Sequence, residues 1–200
     1  MTDKAINRLN ILLLVLVFAL LQACLLDAEC AIAANGRTSI TIKTKAPLLV
    51  HRLFTQSDAT FRHSLNRTVL EQRAGQFQGT VLTYTSSETG DTGVLETSMQ
   101  FGNPEDAGKF AELFGVGLLY TSAGRTFTCS FKDTGNVFSA ELANYADIVL
   151  RTIDLTLRCT VPQTIIRAPN GVISGNKAVF TKTFTKLADF FQSAVYTVQW

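Results

Sequence analysis

The sequence predicts an α+β domain, a mainly antiparallel, curved β-sheet with two or three helices packed on it, behind a cleaved N-terminal signal. Three observations carry this expectation. Segments such as TIDLTLRCTV alternate apolar and polar residues with a period of two, as a strand with one face in the core requires. NPEDAGKFAELFG carries the start and stop residues of a capped helix. Residues 11–21, ILLLVLVFALL, form an unbroken apolar run behind Lys4 and Arg8, the positive start and hydrophobic stretch of an export signal.

The chain has 200 residues, 46% hydrophobic and 17% charged, so the part behind the leader is the size of one domain and can bury a core. It contains no linker rich in Pro or Ser, no repeat and no low-complexity block, and residues 37–200 read as a single unit. The net charge of +2 lacks the concentrated basic stripe that nucleic-acid binding needs, and that class is set aside.

The elements follow in order. TSITIKTK places Ile40 and Ile42 on one face of a strand and Ser39, Thr41 and Lys43 on the other. Phe61, Leu65 and Val69 recur at helical spacing behind Asp58, with Gly75 as a stop, and predict a helix over 58–74. Strands are expected at 79–86 and 93–101, joined by the turn residues of SETGDTG. A helix over 103–115 starts with Asn103 as N-cap and Pro104 in the first turn, points Phe110, Leu113 and Phe114 inward, and ends at Gly115. RTFTCSF turns Phe127, Cys129 and Phe131 to the core. Phe138, Leu142, Tyr145 and Val149 predict a helix over 138–150. In the next strand Ile153, Leu155, Leu157, Cys159 and Val161 face inward. Strands at 163–168, 177–184 and 194–200 complete the set, with the turns of APNGVISGNK between them and Ala194, Tyr196, Val198 and Trp200 on one apolar face of the last.

The leader ends in two overlapping signals. Extended to Leu26, the apolar run includes Gln22 and covers sixteen residues, fewer than the ~20 that span a bilayer, which favours cleavage over a permanent anchor. Leu21-Gln22-Ala23-Cys24 resembles the lipobox of bacterial lipoproteins, which makes 1–23 the signal peptide, Cys24 the lipid-attachment site and 24–36 a tether. Ala31-Ile32-Ala33 is the competing cleavage signal, with 1–33 removed and a soluble protein beginning at Ala34. The lipobox is preferred, because a cysteine directly behind such a run is uncommon. The four cysteines are at 24, 30, 129 and 159. Cys129 and Cys159 both face the core and export allows oxidation, so a disulfide between them is expected, with two buried thiols as the alternative.

No catalytic constellation emerges, and neither an enzyme nor a cofactor is expected. Asp91-Thr92-Gly93 and Asp133-Thr134-Gly135 repeat the tripeptide of aspartic proteases, yet each sits in turn composition rather than behind an apolar strand. Ser174 and Lys177 have the Ser-x-x-Lys spacing without its partner motifs. The two histidines, His51 on a strand and His63 on a helix, have no metal-ligand spacing. Asn66-Arg67-Thr68 is a glycosylation sequon of no consequence behind a bacterial leader. Lys43, Lys45, Arg52, Arg62, Arg67 and Arg73 concentrate positive charge and form the candidate contact with anionic lipid headgroups, a solvated face being the plainer reading.

The leader, the early one-faced strand, the helix after FGNPEDAG, and the late TVPQTIIRAPNGVISGNKAVFTKTF with its Pro162, Asn170-Gly171, Gly175-Asn176 and Val179 pattern are similar to the mycobacterial LppM-type envelope lipoproteins and their relatives. The resemblance implies an exported domain of the helix-on-curved-sheet kind, able to hold a lipid and without catalytic residues. The expectation is therefore a non-enzymatic cell-envelope lipoprotein, bound to a membrane by its lipid and facing the periplasm or surface, or else soluble in the periplasm, with a lipid or other envelope component as ligand. A small outer-membrane β-barrel is the alternative, since the chain ends on an aromatic residue behind an alternating strand and is long enough for eight strands.

Overall fold

A computed structural model describes residues 24–59, 64–114, 116–121, 123, 125–131, 153–184 and 195–200. Within them the backbone runs β1 (Cys24–Ile32), β2 (Thr38–Pro47), α1 (Leu48–Gln56), α2 (Arg67–Gly75), β3 (Thr80–Thr89), β4 (Thr92–Phe101), α3 (Pro104–Glu112), β5 (Val116–Thr121), β6 (Thr126–Phe131), β7 (Ile153–Thr160), β8 (Val172–Ser174), β9 (Lys177–Phe184) and β10 (Val195–Gln199). Seven strands form a sheet in the order β3-β4-β2-β1-β7-β9-β8, and three form a second in the order β10-β6-β5. The pairings are antiparallel except β1 with β7, which is parallel. The architecture is the expected α+β. Both sheets are open, with edge strands at each end, so the described strands do not close into a barrel. No described helix is long and apolar enough to cross a membrane.

Register divides the large sheet into two unlike faces. On one, Glu96, Lys43 and Asp27 are neighbours across β4, β2 and β1. Lys43 pairs with Glu96 at 3.1 Å, Arg158 donates to Asp27, and Thr183 donates to Asp154 at 2.6 Å. The opposite face carries the core in two parts, because alternation sends every second side chain there. Cys30, Leu155, Leu157 and Phe180 pack against Phe127, Cys129, Tyr196 and Val198 of the second sheet. Ile40, Met99 and Phe101 lie beneath Leu70 and Ala74 of α2 and Ala107 and Phe110 of α3.

Local chemistry accounts for most elements. The side chain of Asn103 accepts from the Asp106 amide at 2.9 Å and Pro104 opens α3, as the sequence indicates. α2 begins at Arg67, later than expected, because Asn66 caps it by accepting from the Thr68 amide at 3.0 Å. α1 was not foreseen: its N-cap is Pro47, which gives no side-chain cap, and the helix is set from outside by the bond from the Leu48 amide to the Asp91 carbonyl at 2.8 Å. Residues 163–168 are an irregular segment rather than a strand, since the Ile165 amide bonds Gly175 at 2.9 Å and only Arg167 bridges to another strand, at Gln199. The Gly171 position admits no side chain, as a Cβ there would lie 2.6 Å from the Phe180 ring. The helix expected over 138–150 lies outside the described residues.

The C-terminal strand faces inward as its alternation implies. Trp200 is 6% exposed, stacks on Tyr120 with ring centroids 6.0 Å apart, and donates its amide to the Arg125 carbonyl at 3.0 Å. Trp200→Ala is expected to lower stability by about 3–5 kcal/mol, read from urea unfolding followed by circular dichroism.

Candidate functional site

The leader, residues 1–23, lies outside the described residues, and β1 starts at Cys24. The segment expected as a tether is instead a strand in the middle of the large sheet. It pairs with β2 from Leu25–Lys45 to Ile32–Thr38 and with β7 from Cys24–Ile153 to Ala31–Thr160. Ala33 and Ala34, the ends of the alternative cleavage bond, sit in the β1–β2 turn. There the Ala33 amide bonds Arg37 at 2.8 Å, the Gly36 amide bonds Ala33 at 2.9 Å, and Gly36 takes φ +82°.

Beside that turn is an open cleft of about 540 Å³, walled by Ala31, Ile32, Val161 and Pro162, with Arg37 as its cation and Asn35, Ser39, Gln100, Thr160 and Asn176 among its lining. A second, of about 580 Å³, lies between α3 and β5 among Pro104, Gly108, Lys109 and Leu118 to Tyr120. Gly108 lets these elements approach, since a Cβ there would meet the Leu118 carbonyl at 2.8 Å. The first offers an apolar wall and one cation, a surface that suits an apolar chain with an anionic head, whereas the second is also lined by Glu105 and Glu112, and its Lys109 is paired with Glu105 at 2.9 Å.

The six basic residues singled out in the sequence do not make one patch. Lys43 is paired with Glu96 on the polar face, where Lys45 is exposed two residues on. Arg52 of α1 grips Glu88 at 3.0 and 2.6 Å, and Arg67 of α2 pairs with Glu71 at 2.8 Å. Arg73 donates to the Ala59 carbonyl at 3.3 Å and lies over the Phe114 ring. Arg62 lies outside the described residues. Pairing within the fold, invisible in a linear count of charges, disperses the cluster.

His51 is on α1, not on a strand, and is 2% exposed. Its Nε2 meets Ser86 Oγ at 2.9 Å, and its ring fills the space over Gly93, where a Cβ would come within 2.0 Å of it. The pair has the look of a base and a nucleophile, but Glu88, the nearby carboxylate that could orient the ring, is held by Arg52. The contact ties α1 to β3. Burial lowers the His51 pKa, Glu88 opposes that shift and Arg52 adds to it. Asp91 is exposed in the β3–β4 turn, Ser174 and Lys177 are exposed partners across the β8–β9 turn, and Asp133 and His63 lie outside the described residues. The Asn66 side chain is occupied, capping α2 and donating to the Thr55 carbonyl at 3.1 Å. Among the described residues no group of His, Cys, Asp and Glu is placed to hold a metal ion.

The structure holds Cys129 and Cys159 as free thiols in the core. They belong to different sheets, β6 and β7, and Cys30 of β1 stands directly opposite Cys159, so three buried sulfurs share one region. Burial, and then the other two thiols, pushes the Cys30 pKa well up; burial raises Cys129, and burial with Glu29 takes Cys159 to about 12. The role of Cys30 was missed because DAECAI was read as part of a tether, or else as the end of a longer leader. Its alternation of Ala28, Cys30 and Ile32 with Asp27, Glu29 and Ala31 was the available signal.

The folded domain of LppM from Mycobacterium tuberculosis, known from NMR, is similar in structure, at 10% sequence identity over 88% of each chain with a TM-score of 0.49. No protein-family model matches this sequence, and a search of curated proteins finds no match.

Two measurements test the buried groups. The folded state resists protonating His51 while the unfolded chain titrates it near 6.5, so stability is fullest above that pH and falls as pH drops through 6.5 toward the lower folded value. The urea midpoint should therefore fall between pH 7.5 and about 5, and His51→Gln should flatten that slope. At pH 8 the Cys159 thiolate is about a thousandfold scarcer than that of a thiol of pKa 9.0, and alkylation of the folded protein should slow accordingly and speed up on unfolding.

Proposed function

We propose that this chain is an exported cell-envelope lipoprotein, held to a membrane through a lipid on Cys24, whose domain binds rather than catalyses. The observation that carries the reading is the place of β1. Cleavage after Ala33 would remove Cys24–Ile32 and leave the facing edges of β2 and β7 unpaired within the sheet, while Cys30 and Ile32 would vanish from the core. Cleavage before Cys24 keeps the strand whole, and it is the cut that the lipobox specifies. The lipid would then sit at the first residue of a strand, bringing the domain close against the membrane on its periplasmic or outer side.

A binding role is supported by how the reactive side chains are engaged. His51, Glu88 and Asn66 each serve a bond between elements of the fold. The ligand class is a lipid or another envelope component of amphipathic character, for which the cleft beside Arg37 provides an apolar wall and a cation.

Labelled palmitate should enter the wild-type protein in an exporting bacterial host, and Cys24→Ser should abolish the label. A form beginning at Ala34 should show no cooperative unfolding transition. A folded, unlabelled wild-type protein whose first residue is Ala34 would reject the proposal.

A further inference from the structure

We infer that the loop cluster of residues 161–176, with Arg125 and Lys177 beside it, is a docking surface for a second, anionic lipid bilayer. Ile166, Val172 and Ile173 stand 76%, 75% and 42% exposed there. Single exposed aliphatics are ordinary, but here three belong to one cross-linked cluster. The Val161 amide bonds Asn176 at 3.0 Å, Ile165 bonds Gly175 at 2.9 Å, and the Asn176 amide group returns a bond to the Val161 carbonyl at 3.0 Å. Asn170 and Gly175 fix two tight turns at φ +63° and +60°. The cluster is also joined to the second sheet: the Ile166 amide bonds the Gln199 carbonyl at 2.8 Å, and Arg125 donates to the Gln163 side chain at 2.9 Å. The aliphatic side chains are thus presented on a framework tied down by turns and hydrogen bonds.

The charges choose the occupant. Arg125, Arg167 and Lys177 are exposed at this cluster, and residues 116–131, 155–184 and 195–200 contain no Asp or Glu at all. Lys43, Arg52 and Arg67 elsewhere each have an acid of their own. Among the described residues none of Arg125, Arg167 and Lys177 is in an ion pair; cations so placed meet anionic headgroups, while exposed aliphatic side chains of the same cluster enter the boundary below the headgroups. An acidic protein would account for the cations but not for three aliphatic side chains standing clear of the surface.

Position makes the bilayer a second one. Cys24 pairs with Ile153 at the start of β7, whereas the cluster follows Thr160 at its end, roughly 23 Å along the strand at 3.3 Å per residue. With the N-terminal end held on one membrane, the cluster lies at the far end of the sheet. That the bilayer is a second one rests on the proposed membrane attachment of the N-terminal end; the basic and aliphatic cluster itself does not.

The full 200-residue chain, leader retained, can be placed in phosphatidylcholine nanodiscs and offered labelled vesicles. Vesicles containing phosphatidylglycerol should be captured and phosphatidylcholine vesicles should not, with capture falling as salt rises. Neutralising Arg125, Arg167 and Lys177 to Gln should weaken capture about a hundredfold, at about fivefold per cation. Ile166→Ser with Val172→Ser should weaken it as well, and Arg167→Gln with Lys177→Gln, which leaves the Arg125–Gln163 bond intact, should weaken it about twenty-five-fold; the circular dichroism and thermal midpoint of these two double variants stay as in wild type, because the altered side chains are exposed. Equal capture of both vesicle types, or capture unchanged by the triple substitution, would overturn the inference. So would binding of an acidic peptide without capture of vesicles. Retaining the leader keeps the assay independent of lipid attachment, which the palmitate experiment reads separately.

Discussion

The fold depends on one strand being held from both sides. β1 pairs antiparallel with β2 and parallel with β7, and in the sheet order β3-β4-β2-β1-β7-β9-β8 the parallel pair is the junction between strands of residues 24–101 and strands of residues 153–184. A parallel pair cannot be closed by a short turn, so this junction is made between residues far apart in sequence, after a costly ordering of the chain between them. The position of Cys30 opposite Cys159 follows from it, as does the placement of Ala33 and Ala34 in a hairpin turn. The same constraint links processing of the chain to its stability, since the residues next to the lipobox are structural residues of the domain.

The second organising fact is the contrast between the faces of the large sheet. Its polar face is a mesh of cross-strand pairs such as Lys43 with Glu96 and Arg158 with Asp27, each of small individual worth because water screens it. Their effect is compensation: Lys43 and Arg158 on this face each meet an acid from a neighbouring strand. Among the described residues Arg125, Arg167 and Lys177 are in no ion pair, and the exposed Ile166, Val172 and Ile173 belong to the same loop cluster.

Strands with one wet and one dry face were legible at once. TIDLTLRCTV, RTFTCSF and the closing YTVQW have the predicted direction, with Leu155, Cys129 and Val198 buried, because alternation is a local consequence of the extended backbone. The start of α3 was legible for the same kind of reason, as Asn103 and Pro104 act on groups within one turn. α1 was not, for its bonds to Asp91 and its packing of His51 over Gly93 come from a hairpin some forty residues away. IIRA was misread as a strand because apolar content cannot distinguish a buried strand from an irregular segment that packs Ile165 and exposes Ile166.

By itself the sequence determined the local conformations: the period-two faces, the capped helix, the turns at Asn170-Gly171 and Gly175-Asn176, and the apolar run with a cysteine close behind it. Only the tertiary structure decided what those pieces are for. It turned DAECAI from a tether into a central strand, brought Cys30 to the two later cysteines, and matched Lys43 and Arg52 with acids from other strands. The physical reason is one of range. Backbone alternation and capping act over a few residues, whereas strand partnership and charge compensation are settled by which distant segments lie side by side.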